Sequence, residues 1–219
     1  MHLKTNPVEL YWQNLIIEQA EESQKISSDV AELVFKITKQ IDNDTVKTID
    51  LGTGNGILSF MLEQIIPKLE ITAIDIQAEL INLAKKNKKR INSKVRFFKQ
   101  DIRKVFQEYP YQKYDFIISN PPHLPINKYR ISPIKMKAIS RSEIKCNMKN
   151  IFEAVSHLLN KNGKAFLIYP IERDDDIMTM LKSIDLKLVN RIFSKSIENE
   201  KRQNKKLVCY VIERGNDRA

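Results

Sequence analysis

The sequence predicts an α/β protein: a seven-stranded, mostly parallel sheet with helices on both faces and an antiparallel C-terminal hairpin at the sheet edge. Three observations predict it. Short runs rich in β-branched residues alternate with helix-patterned runs from Val46 to Ile184. A glycine-rich turn, DLGTGNG, follows the first of those strands. The last two strands, LKLVNRIFSK and KKLVCYVIE, succeed one another with only the polar stretch SIENEKRQN between them, as a hairpin requires.

Taken in order, residues 7–23 (PVELYWQNLIIEQAEES) read as a helix, with Pro7 suited to a first turn. Ser27 or Ser28 is placed to cap a second helix, whose apolar positions include Val30, Leu33, Val34 and Ile37. VKTIDLG is then a strand, ILSFMLEQII a helix stopped by Pro67, LEITAIDI a strand and QAELINLAKKNKKR a helix. The strands KVRFFKQD and KYDFIISN follow, the second ended by Pro121-Pro122. MKNIFEAVSHLLNKNG reads as a helix with Gly163 at its C-terminal end, before the strand KAFLIYP and the helix DDDIMTMLKSI. No internal repeat and no Pro/Gly/Ser linker divides the chain. The expected organisation is an N-terminal helical extension over 1–24 and one main domain over 25–219.

Composition narrows the class. Of the 219 residues, 42% are apolar, enough for a sizeable core, and no apolar run approaches the about 18 residues of a membrane span. The opening residues, MHLKTNPVELYWQNL, contain no continuous apolar stretch of the kind a secretory leader carries, so a cytoplasmic protein is expected. Cys146 and Cys209 stand far apart, and His2, His123 and His157 make no ligand pattern; neither a disulfide framework nor a metal site is expected. The net charge of +10 suits a polyanionic partner. From His123 to Asn150 the cations Lys128, Arg130, Lys135, Lys137, Arg141, Lys145 and Lys149 face only Glu143, a local excess of +6. Lys128, Arg130, Lys135, Lys137, Arg141 and Lys145 are the candidate nucleic-acid contacts.

The chain has five glycines, and Gly52, Gly54 and Gly56 share one strand-to-helix turn. Glycine there permits a tight turn and close approach of backbone to a ligand. A dinucleotide fingerprint would place its third glycine at position 57, which is Ile57, and Asp50 at the mouth of the loop would repel a pyrophosphate. A carboxylate there suits a positively charged ligand group, an α-ammonium or a sulfonium. Asp75 ends the second strand of the sheet, where an acid can accept from ribose hydroxyls. Asp101 ends the third, where a carboxylate can accept from an adenine amino group, and Ile76 and Ile102 can sandwich a flat base. The three aspartates belong to the strand ends where open α/β sheets bind ligands.

The fourth strand closes with Asn120-Pro121-Pro122-His123. Two prolines remove two backbone donors and leave bare carbonyls beside the Asn120 amide oxygen. That acceptor-rich corner can hold the two protons of an NH2 group and aim its lone pair.

On these residues the chain resembles class I S-adenosylmethionine-dependent methyltransferases, whose fold is Rossmann-like, and in particular the N-methyltransferases with an Asn/Asp-Pro-Pro-aromatic signature. The stretch Arg130-Ile-Ser-Pro133 with Ala138-Ile-Ser-Arg141-Ser-Glu143-Ile-Lys-Cys146 is similar to the segment after that signature in bacterial tRNA1(Val) adenine-N6 methyltransferases, which modify the adenine beside the anticodon. The resemblance spans roughly residues 25–213. It implies S-adenosyl-L-methionine as cofactor, with Asp50, Gly52 and Gly54 along its methionyl part, Asp75 on the ribose and Asp101 on the adenine. It implies Asn120, Pro121 and Pro122 around the target amine. His123 replaces the usual Tyr or Phe and would stack on a flipped base through its neutral imidazole.

The expected function is therefore N6-methylation of a tRNA adenine by a protein that acts as a monomer or weak homodimer. Two enzyme alternatives stand beside it: a release-factor glutamine methyltransferase, which shares the signature but usually carries a longer helical region before the glycine loop than the 49 residues ahead of Asp50, and an rRNA or DNA amino-methyltransferase. A catalytically inactive RNA-binding module of the same fold is the alternative outside enzymes.

Overall fold

The computed structural model describes residues 4–10, 15–21, 27–41, 47–123, 133, 138–140, 143, 145–194 and 207–215. Its centre is a seven-stranded sheet. β3 (Lys47–Leu51), β4 (Glu70–Asp75), β5 (Arg96–Lys99), β6 (Tyr114–Ser119) and β7 (Leu159–Pro170) run parallel. β8 (Leu186–Phe193) and β9 (Leu207–Arg214) complete it in the order β5-β4-β3-β6-β7-β9-β8, with β9 antiparallel to both neighbours. The expected edge hairpin is thus present, although its connecting residues 195–206 lie outside the described ones. From β3 the chain builds first toward β5 and then, after the crossover to β6, the other way. β3 and β6 therefore flank the switch point where such sheets open a crevice.

Two apolar layers cover the sheet. On one side α1 (Ser28–Thr38), α2 (Ile57–Ile65) and α3 (Ala78–Arg90) bury Leu33, Val34, Phe60, Leu62 and Ile81 against Ile71, Phe116 and Phe166. On the other, the short α4 (Val105–Glu108), α5 (Met148–Leu158) and α6 (Asp174–Lys182) bury Val105, Phe152, Val155 and Ile177 against Ile49, Ile117 and Leu167. Central parallel strands covered on both faces read as continuous apolar runs, as FIIS in β6 does. Ser27 is the α1 cap, accepting from Val30 N, and the buried face of α1 is Val30, Leu33, Val34 and Ile37 as its spacing requires.

Two expectations fail. Where one helix was expected over 7–23, the chain forms β1 (Thr5–Leu10) and β2 (Leu15–Ala20), paired antiparallel. β2 shows strand alternation, with Ile16 44% exposed and Ile17 fully buried. The decisive partner is remote in sequence. Asn87 of α3, itself buried, accepts from Glu18 N at 2.9 Å and donates to the Glu18 carbonyl at 2.8 Å, and Arg90 pairs with the Glu18 carboxylate at 2.8 Å. A helix would consume those backbone groups internally. The expected boundary between residues 24 and 25 falls outside the described residues.

Gly163, expected to end a helix, instead lies within β7. The helix stops at Leu158, and Tyr114 pairs with Leu159 but Phe116 with Lys164, so residues 160–163 bulge opposite Asp115. The Asn160 amide bonds to the Asp115 carboxylate, and a Cβ on Gly163 would lie 2.8 Å from the Asp115 carbonyl. Glycine serves close approach of two backbones here, not a helix end.

Candidate functional site

The C-terminal ends of β3, β4 and β6 open into one cleft, and the glycine loop makes its floor. Gly52 N and Thr53 N both donate to the Ile74 carbonyl, at 2.9 and 3.0 Å, which folds the loop back over the end of β4. Gly52, Gly54 and Gly56 have φ of +77°, +60° and +89°, conformations that glycine adopts without penalty. A Cβ at Gly52 or Gly54 would meet no atom within 4 Å and would stand in the open cleft; one at Gly56 would collide with the Phe60 and Phe97 rings at 2.8 Å. The loop is thus bare of side chains where a ligand can lie against it, and it hands the chain to the N-terminus of α2.

Asp75 holds that loop. Its carboxylate accepts from Gly54 N at 2.9 Å and from Gln77 N at 2.8 Å and borders the cleft. Burial pushes its carboxyl above the usual range, while the backbone donors pull the other way. Ile76, Gln77 and Leu80 continue the same wall, and Asp101 and Ile102 form the next. Asp101 is also engaged by Arg103, whose guanidinium bonds both of its oxygens at 2.6–3.1 Å, and it caps the 3-10 turn Ile102–Lys104 through Arg103 N. The Arg103 side chain holds the Asp101 carboxyl below its ordinary value. A carboxylate has about four acceptor positions, so Asp101 retains capacity for one more donor.

Asp50 departs from expectation. It is completely buried and does not border the cleft. Its Oδ2 accepts from Ser59 Oγ at 2.7 Å, and its Oδ1 has no hydrogen-bond partner among the described residues. Burial raises its carboxyl to about 6, with the Thr53 and Ser59 hydroxyls opposing and the Asp75 charge assisting. The reason is its strand: β3 is central and covered on both faces, so its side chains enter the core rather than the rim. Asp50 supports the loop from behind.

The fourth wall is the end of β6. Ser119 Oγ donates to the Leu51 carbonyl at 2.6 Å and ties this strand end to the glycine loop. Asn120 and Pro122 border the cleft directly; Pro121 is buried. His123 is 7% exposed and is not a wall of the cleft, so its ring does not form the open stacking platform expected of it. Its carbonyl explains the position. Arg173 Nη1 donates to the His123 carbonyl at 2.7 Å and to Glu143 Oε1 at 2.7 Å, and Arg173 Nε bonds Asp176 at 2.6 Å. Arg173 and Glu143 side chains are only 11% and 13% exposed. One guanidinium therefore joins the residue after the two prolines, the segment around 143, and the first turn of α6.

Ile139, Ser140, Lys145 and Cys146 close the cleft from the basic segment, and Gln77 Nε2 donates to Ser140 Oγ at 3.0 Å across it. Lys145 is exposed at this rim. The other expected nucleic-acid contacts, Lys128, Arg130, Lys135, Lys137 and Arg141, lie outside the described residues. Cys209 is a buried apolar residue, whereas Cys146 is a cleft wall whose thiol burial pushes up to about 12, leaving it neutral. Gln19 of β2 also lines the cleft, a contribution no local pattern announces.

The methyltransferase-domain family model matches residues 42–218. The chain belongs to that methyltransferase family. The fold and the side-chain-free loop beside Asp75 fit S-adenosyl-L-methionine, the cofactor implied by the resemblance. Among curated relatives, the tRNA1(Val) (adenine(37)-N6)-methyltransferase of Pedobacter heparinus is 27% identical over 168 residues, covering 76% of this chain and 70% of the relative. The release factor glutamine methyltransferase of Bacillus anthracis is 33% identical over 100 residues, covering 45% of this chain and 35% of the relative. Among solved structures, the ribosomal protein L11 methylase of Lactobacillus delbrueckii subsp. bulgaricus superposes with a TM-score of 0.62 at 15% identity, covering 90% of this chain and 84% of that one. TrmN from Thermus thermophilus gives 0.60 at 18% identity, covering 83% and 48%. At those identities the likeness is one of fold. No helix among the described residues is long and apolar enough to cross a membrane.

Proposed function

We propose that this methyltransferase transfers a methyl group to the N6 amine of an adenine in tRNA. One observation carries the reading: Asn120 and Pro122 stand on the same cleft as the glycine loop and Asp75. The relative from Pedobacter heparinus, matched over most of both chains, supports adenine in tRNA as the target.

S-adenosylmethionine, when bound, supplies an electrophilic methyl on a sulfonium sulfur. The chain's residues do the rest. Asp75 accepts from ribose hydroxyls, Asp101 from the cofactor's adenine amine, and Ile76 and Ile102 border its ring, while Gly52 and Gly54 let the methionyl part lie against backbone. The Asn120 amide oxygen and the Pro121 carbonyl accept the two protons of the target amine. Its lone pair, otherwise delocalised into the ring, is then turned toward the methyl. Positioning of this kind supplies about 7–11 kcal/mol of a barrier. The surplus proton leaves to solvent after transfer. Arg173 keeps the corner in place through the His123 carbonyl, so His123 acts here through its backbone. Lys145 and the cations of the 123–150 segment hold RNA phosphates, and a loop adenine suits the cleft because it leaves its stack at the smallest cost.

The test is incubation of the protein with tritiated S-adenosylmethionine and, separately, total RNA, DNA and release factor. Label in tRNA recovered as N6-methyladenosine is expected. Label in release factor alone would replace this reading with glutamine methylation, which the relative from Bacillus anthracis favours. Cofactor binding with label in none would make the protein an inactive binding module.

A further inference from the structure

Charge along the chain is densest outside the segment that follows the two prolines. Residues 85–99 contain eight cations and no acid, against a net +6 over 123–150. α3 supplies Lys85, Lys86, Lys88, Lys89 and Arg90, and β5 with its approach supplies Lys94, Arg96 and Lys99. Three of these have structural duties: Lys88 Nζ caps the Val95 carbonyl at 2.7 Å, Arg90 pairs with Glu18, and Arg96 reaches Thr72 Oγ1 at 3.4 Å. Lys85, Lys86, Lys89, Lys94 and Lys99 are exposed, and among the described residues none of their ammonium groups has a carboxylate within ion-pair distance, although Glu63 accepts from the Lys94 main-chain N–H.

The arrangement works against the helix that carries it. Lys85 and Lys89, and Lys86 and Arg90, are like charges at i,i+4, a spacing that destabilises a helix. The C-terminal dipole offsets only the last turn. Packing does not require these side chains, because α3 buries Leu80, Ile81, Leu83, Ala84 and Asn87 on its other face. β5 is the sheet edge, so the α3 cations lie over one face of that edge while Arg96 emerges on the other beside Phe98, which is 47% exposed. The α3 cap, Gln77, is a wall of the cleft. At 1.5 Å per residue, the cations from Lys85 to Arg90 begin about 12 Å and end about 20 Å along the helix from Gln77 at the cleft wall.

We propose that this ridge, α3 with the β5 edge, docks the phosphate backbone of the base-paired stem whose loop adenine enters the cleft. The proposal rests on the RNA-methylation reading and extends it. The loop is read at the cleft, while the stem is held by a sequence-independent cationic ridge a helix-length away.

The test compares wild type with K85Q/K86Q/K89Q, glutamine having similar helix propensity and relieving the lysine repulsion, so the melting temperature is not expected to fall. Fluorescence anisotropy is measured against a stem-loop RNA and against the same loop as a single strand, across a salt series. Wild type is expected to prefer the stem-loop. The variant is expected to lose about tenfold or more in stem-loop affinity and about 3 in the slope of log affinity against log salt, near one per phosphate contact, with cofactor affinity and single-strand affinity unchanged. Unaltered stem-loop affinity and slope in the variant would overturn the ridge while leaving tritium transfer to RNA, the readout of the RNA-methylation reading, intact. Wild-type binding to phosphatidylserine vesicles, lost in the variant while RNA binding persists, would overturn it in favour of a membrane surface. If wild type labels no RNA, that reading falls on the transfer assay alone, and the ridge then stands or falls on the stem-loop slope.

Discussion

The two halves of the cleft are built by different means. The half proposed for the cofactor is mostly main chain: loop N–H groups folded onto the Ile74 carbonyl, the Asp75 carboxylate holding Gly54 N and Gln77 N, and glycines that leave the floor bare. The half proposed for the target amine is a side-chain assembly, in which Arg173 joins the His123 carbonyl to Glu143 and Asp176 across three separate parts of the chain. The difference teaches where each half is vulnerable. The first rests on loop N–H groups and the Asp75 carboxylate, whereas the second depends on one nearly buried cation.

Removing Asn120 should separate the halves most sharply. Asn120→Ala is expected to lower the rate of methyl transfer by about a thousandfold, the scale of losing a preorganised polar group at a reacting centre, while cofactor affinity by calorimetry stays within about threefold. Parallel loss of both would mean the halves are one unit. Arg173→Met should strike the target half alone. It leaves Glu143 and Asp176 without their cation, and stability is expected to fall by about 3 kcal/mol in urea titration, with a lowered kcat and an unchanged cofactor affinity.

The cofactor half has its own strained member. Asp50 sits at about 6 in the folded protein against an ordinary 3.8, so the native state holds this proton more tightly than the unfolded chain. Its contribution to stability is therefore greatest below about pH 4, declines as pH rises toward 6 and stays lost above. Asp50→Asn is expected to gain stability over wild type across that window, reaching at most about 3 kcal/mol, with a flat difference at higher pH. A pH-independent difference would show that the buried charge is not the cause. The smallest expected effect is at the hairpin that adds Gln19 to the cleft. Asn87→Ala strips the partners from Glu18 and is expected to cost about 1–2 kcal/mol, read as faster amide exchange over residues 16–20 with the sheet core unaffected.

Much of this site was legible in the chain order of residues. Asp75, Asp101, Gly52, Gly54, Asn120 and Pro122 all reach the cleft because each ends a parallel strand, and strand ends share one sheet edge. Asp50 departs from its expected place because a motif gives position along the chain but not that its strand is covered on both faces. His123 departs from the open platform expected of it: it is buried, and Arg173, 50 residues away, bonds its carbonyl.

The sequence by itself determined the alternation of strands and helices, the strand order's antiparallel finish and the ligand-bearing edge, since periodicity and glycine placement are local properties of the chain. Tertiary structure alone decided that residues 5–10 and 15–20 are strands, that Gly163 serves a bulge, that Asp50 is walled in and that Arg173 bonds the His123 carbonyl. Each of those depends on a partner tens of residues distant, and a hydrogen bond or a desolvated charge exists only once folding has brought both groups together.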